Sequence, residues 1–98
     1  MFAFEYPLSG DSVSVYFDLK KFYFDYNELI NLIYANVDDA VQKKGSDKII
    51  EKMKEIKFLR PHQAIVLLDC FFHTEDIQAY ILGVVYPVLM KYKKSLIL

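Results

Sequence analysis

Cysteine occurs once, at position 70, so no intrachain disulfide can form and a reducing, cytoplasmic compartment is the expected setting. Tryptophan is absent, and three glycines and three prolines are too few for a long linker or a low-complexity tract. No stretch reaches the roughly 20 apolar residues of a membrane span. The longest nearly apolar run, Ile77 to Met90, is interrupted by Gln78, Gly83 and Pro87, and reads as a buried helix or a subunit interface. The start Met1-Phe2-Ala3-Phe4-Glu5-Tyr6-Pro7 has no basic residue and no long apolar segment, so it does not read as a signal peptide. There is no glycine-rich phosphate loop and no serine in a nucleophile elbow. No cofactor, catalytic set or metal centre is therefore expected.

What is present fits a globular chain. Of 98 residues, 54% are hydrophobic and 26% charged, which excludes a disordered tail. Eight Tyr and eight Phe supply side chains suited to half-buried faces and interfaces. The net charge is −1, but the charges are segregated. Residues 1–42 hold two Lys against seven acids, and residues 43–60 hold seven basic groups against three acids. A bipolar molecule of this kind is not a general nucleic-acid binder, although a local basic patch is compatible with it.

The periodicity predicts an α+β fold in one domain: an N-terminal antiparallel β-hairpin or three-stranded sheet (residues 1–25), followed by four α-helices (residues 26–98) ending in an apolar C-terminal helix. Phe2, Phe4, Tyr6 and Leu8 alternate with Ala3, Glu5 and Pro7, which is strand period, and Pro7 makes that strand an edge. After the turn residues Ser9-Gly10-Asp11-Ser12, the alternation of Val13, Val15, Phe17 and Leu19 gives a second strand. Residues 19–25 fit either a third strand or an early helix. The strand is preferred because Asp25 and Glu28 have the spacing of a capping box. A first helix is expected from Tyr26 to Lys44, stopped by Gly45, and a second from the cap Ser46. Pro61 opens a third segment in which residues 64–72 fit helix or buried strand. Thr74 with Glu75 and Asp76 starts the last helix, which Pro87 is expected to kink on its way to Lys94.

Four groups of residues invite a chemical reading. His62, Asp69 and His73 stand at i, i+7 and i+11, one stripe of a helix, where they would make a small metal or acid–base site. The plainer reading is the polar side of a helix with an Asp69–His73 surface pair. Lys48, Lys52, Lys54, Lys57 and Arg60 could touch phosphates, but Glu51 and Glu55 interrupt them, as in any solvated amphipathic helix. Ile77, Tyr80, Ile81, Val84, Val85, Val88 and Tyr92 make an apolar stripe on a helix whose other sides are also apolar. Such a helix is either the centre of the core or a twofold interface. Tyr6, Tyr16, Asp18 and Tyr23 combine aromatic rings with acids in the N-terminal strands, a composition suited to a basic protein partner or, more plainly, to core packing.

Together these features predict a small non-enzymatic protein-interaction module, a homodimer that binds and inhibits a larger protein. Small phage and viral proteins share this Tyr/Phe/Lys/Ile-rich composition. The alternatives are a nucleic-acid-binding regulator using residues 43–60 and a small enzyme or metal protein using His62, Asp69 and His73.

Overall fold

The computed structural model of the chain describes residues 1–96. Alternating side chains produce the sheet. β1 (Phe2–Glu5), β2 (Ser12–Phe17) and β3 (Phe22–Asp25) form an antiparallel meander in which Phe2 opposes Val15 and Val15 opposes Phe24. A fourth strand, β4 (Phe58–Leu59), pairs with β3 and places Leu59 opposite Phe24. The strand order is β1-β2-β3-β4, and all neighbours are antiparallel. The sheet thus has one strand more than the alternation predicts, and residues 22–25 take the strand alternative. Between β2 and β3, Leu19 adopts φ 76° while the Asp18 carboxylate accepts hydrogen bonds from the Lys20 and Lys21 amides.

One face of the sheet carries Val13, Val15, Phe22, Phe24 and Leu59, all buried. Four helices cover it. α1 (Tyr26–Asn36) starts where expected, because the Asp25 carboxylate accepts from the Asn27 and Glu28 amides. The capping box is not completed. Glu28 instead reaches β2, accepting from the Ser14 amide at 2.6 Å and from the Ser14 hydroxyl at 3.0 Å. Ser14 lies just past the end of the β2–β3 ladder, so the Glu28 carboxylate supplies the acceptor that a longer β3 would have supplied.

α1 ends at Asn36, eight residues before the expected Lys44. Asp38 and Asp39 sit at the negative end of the helix dipole, where acids are unfavourable. The Asn36 side-chain amide takes the Leu32 carbonyl, and Val37 turns into the core. The following loop runs beside the end of the third helix: Lys43 N–H donates to the Cys70 carbonyl, and Phe72 N–H donates to the Val41 carbonyl. Gly45 has φ 86° within this loop rather than ending a helix. α2 (Asp47–Ile56) then begins without a side-chain bond from Ser46.

Residues 61–69 are helical: α3 (Pro61–Asp69) buries Ala64, Leu67 and Leu68. Thr74 does not cap the last helix with its side chain. Its buried hydroxyl donates to the Leu68 carbonyl at 2.6 Å and so fastens the α3 end to the next turn. The last helix is continuous but not uniform. α4 (Glu75–Tyr80) passes into a π-helical turn (Ile81–Val85) and then α5 (Tyr86–Ser95). Pro87 is the cause, because its ring would strike the carbonyl four residues back and it has no N–H to donate. The widened turn relieves that contact, and Tyr86 N–H reaches the Ile81 carbonyl five residues back. Where the sequence predicts a kink, the helix widens into a π turn. Ile77, Ile81, Val85 and Leu89, each four residues apart, all face the core, with 2%, 1%, 0% and 0% exposure.

The molecule is only 16 Å thick along its shortest axis, enough for the sheet and one helical layer. Among the described residues, no helix is long and apolar enough to cross a membrane.

Two substitutions test this account. Lys57 closes α2 with φ 71° and ψ −47°, a conformation that strains any residue with a Cβ. Lys57→Gly is expected to raise stability by about 0.5–1 kcal/mol in urea unfolding. Glu28→Ala is expected to cost about 2 kcal/mol, because it leaves the Ser14 amide without its charged acceptor. A loss near zero would mean that water replaces the carboxylate freely.

Candidate functional site

The uncovered face of the sheet holds the first candidate site. Tyr16 and Tyr23 oppose each other across β2 and β3, and Phe58 lies on β4. With Asp18 they line a shallow basin. Tyr16 and Phe58 meet edge to face, their ring centroids 5.6 Å apart, and both remain more than a third exposed. The Tyr23 hydroxyl donates to Asp18 Oδ2 at 3.1 Å. Lys57 Nζ lies 5.6 Å from the centre of the Phe58 ring, so one edge of the basin is already cationic.

The basin is held by the β2–β3 turn. Hydrogen bonds from the Lys21 and Lys20 amides, and then from the Tyr23 hydroxyl, hold the Asp18 carboxyl below the ordinary carboxylate range. Desolvation, followed by the hydrogen bond to Asp18, pushes the Tyr23 hydroxyl above its ordinary value.

Of the four residues expected to form a partner surface, Tyr16, Asp18 and Tyr23 come together and Tyr6 does not. Tyr6 begins a tight turn in which its carbonyl accepts from the Ser9 and Gly10 amides. That turn carries its ring inward, to 3% exposure, edge to face with Tyr80 at 5.2 Å. Burial, with Asp76 adding to it, pushes the Tyr6 hydroxyl upward. Phe58 was not legible as a site residue, because a two-residue strand has no period to detect.

The seven-residue stripe of the last helix divides. Ile77, Ile81 and Val85 belong to the core. Tyr80 is half-buried and donates to the Glu5 carbonyl at 2.9 Å, while Tyr92 packs edge to face on Phe2 at 4.9 Å. Val84 and Val88 face outward, 49% and 46% exposed. The outward surface also includes Leu82 and Tyr86, which helical spacing alone assigned to other sides.

His62, Asp69 and His73 do not share a helical stripe. α3 stops at Asp69, and His73 lies beyond it with φ 64°. Asp69 pairs with Lys43, at 3.2 Å, rather than with His73. Among the described residues no three His, Cys, Asp or Glu side chains gather as a metal-binding group. The basic segment is also dispersed. Lys48, Lys52 and Lys54 lie exposed on α2, Lys57 turns to the aromatic basin, and Arg60, near enough to Tyr23 for its charge to act on it, lines a separate cleft with His62.

The turn yields a pH prediction. Because the Asp18 pKa is lowered by folding, its contribution is present above the ordinary carboxylate range and is lost as pH falls through the depressed folded value. The Lys20 and Lys21 amide NMR signals are expected to follow one titration with its midpoint below that range. A midpoint at or above the ordinary value would refute the turn as described.

Compared with family models, with curated proteins and with solved structures, the chain matches none of them.

Proposed function

We propose that the protein is a non-enzymatic interaction module that pairs with a second copy of itself through the outward face of its last helix. The observation that carries this reading is the exposure of Leu82, Val84 and Val88, at 54%, 49% and 46%, on a helix with no charged residue from Ile77 to Met90. Leu82 to Val88 spans about two turns, with Gly83 between Leu82 and Val84, and exposed apolar side chains such as these mark contact surfaces in water-facing proteins.

The ends of the same helix favour a second copy as the occupant. Glu75 and Asp76 lie in the first turn, and Lys91, Lys93 and Lys94 in the last. Two copies crossing antiparallel about Gly83 and Val84 bring the acidic end of each opposite the basic end of the other, which is the self-complementarity a twofold interface needs. Apart from its chain neighbours and the helix's own backbone, no heavy atom of the described residues lies within 4 Å of a Cβ built at Gly83, so the crossing point is open to close approach. The aromatic basin on the opposite layer remains free for a larger protein partner, whose arginine or lysine side chains suit its rings and Asp18. Such a contact is the surface on which inhibition of that partner would rest.

Light scattering over a tenfold dilution tests the pairing. The wild type is expected at twice the chain mass. Val84→Glu is expected to be a folded monomer with unchanged circular dichroism, its dissociation constant raised on the order of a hundredfold or more. Asp76→Lys weakens the pair, and Lys91→Glu added to it restores it. A wild type that is monomeric throughout removes this reading.

A further inference from the structure

We propose that the cleft between the β2–β3 turn, the start of α3 and the last helix binds a small amphipathic anion, a phosphate monoester carried on an apolar or aromatic body. The cleft encloses about 340 Å³. That is within the range of small-molecule sites and is room for on the order of ten waters.

Its rim and floor differ in chemistry. Lys20, Lys21, Arg60 and Lys93 line it, together with His62, and among the described residues no carboxylate does. Phe22, Ile65, Ile81 and Met90 supply an apolar interior, and Tyr86 adds a ring at the mouth. Thirteen acids are available to the chain, yet these cations are left facing one concavity. Like charges so gathered repel one another, and an anion placed among them removes the repulsion. Asp18, in the same turn as Lys20 and Lys21, spends its carboxylate on their amides and on Tyr23, and lines the aromatic basin instead. The one ion pair among the described residues, Lys43 with Asp69, involves none of the rim.

Arg60 is partly buried, and among the described residues its Nε has no hydrogen-bond partner. That atom is closed to solvent, so it is the outer N–H groups of the guanidinium that offer a phosphate in the cleft the paired geometry it favours. The backbone adds to this. Arg60 N–H is already taken by Gln63 Oε1, but Pro61 and His62 bring the positive end of the nine-residue α3 to the cleft wall. A phosphate monoester carries a charge near −1.5 to −2 at neutral pH, which suits several cations better than a single carboxylate does. Inorganic phosphate alone would leave the apolar interior wet.

The test is calorimetric titration of the full chain at low salt with 1-naphthyl phosphate, with inorganic phosphate and 1-naphthol as controls. One naphthyl phosphate per chain is expected, with each control at least about tenfold weaker. Arg60→Gln is expected to weaken binding by about tenfold to a hundredfold, and Lys93→Gln by about threefold or more. Lys93→Gln, on the last helix, serves if Arg60→Gln disturbs the start of α3. Leu82, Tyr86 and Lys93 belong to both surfaces but Val84 lies outside the cleft, so the Val84→Glu monomer is expected to keep the site, and its binding reads this site apart from self-pairing. Absence of binding, equal affinity for inorganic phosphate, or indifference to both rim variants would overturn the assignment. So would binding to vesicles containing phosphatidic acid without binding of the soluble probe, which would place the phosphate on a lipid surface.

Discussion

The row Phe2, Val15, Phe24 and Leu59 crosses all four strands on one face, and its burial organises the molecule. Val15, Phe24 and Leu59 are fully buried. Each such side chain contributes roughly 1.5–3 kcal/mol through removal from water, more than any surface pair in the chain. The helices lie where they do because they cover this row. α1 brings Leu29, Leu32 and Ile33, α3 brings Leu67 and Leu68, and the last helix brings Ile81, Val85 and Leu89. Among the described residues nothing covers the far side of either layer, and the aromatic basin and the apolar helix face lie there.

The three surfaces differ in chemistry because the charges were segregated along the sequence. The acids of residues 1–42 and the bases of residues 43–60 meet in few places, and Lys43 with Asp69 is the one ion pair among the described residues. Most charges are therefore free to set the character of a surface. Lys57 and Asp18 flank the aromatic basin, Arg60 and Lys20 flank the cleft, and the apolar helix face has acids at one end and bases at the other. Fold stability rests on burial, and the charges act at the surfaces rather than within the core.

The three N-terminal strands and the start of α1 were legible because strict alternation and an aspartate cap are local signals. β4 was not, because two residues take strand form only through pairing with β3. The end of α1 was misplaced because Val37, Ala40 and Val41 continue a helical apolar stripe. The acids Asp38 and Asp39 oppose that stripe, and the bonds to Cys70 and Phe72 are long-range. The site was partly legible. Tyr16, Asp18 and Tyr23 share a face by strand parity, whereas the inward course of Tyr6 depends on a turn and on Tyr80 across the core. In the last helix the apolar content was evident, but ideal helical spacing gave the wrong division between core and surface. A π turn changes the angle at which every later side chain leaves the axis.

That turn has a bearing on how chains of this kind vary in length. In an ordinary helix, residues four apart drift by about 40° at each step, so a run of three such steps leaves the core. The π turn absorbs the drift and acts as a one-residue insertion. Removal of Gly83 would leave the inward residues spaced by four, three and four, the usual α-helical pattern for one buried face. The core pattern therefore fits either length provided Pro87 is replaced along with the deletion, because its ring would otherwise lose the widened turn, and the outward row changes in any case because the deleted residue comes from it. A relative aligned to this chain with a gap at position 83 would share its core while presenting a different face to its neighbours.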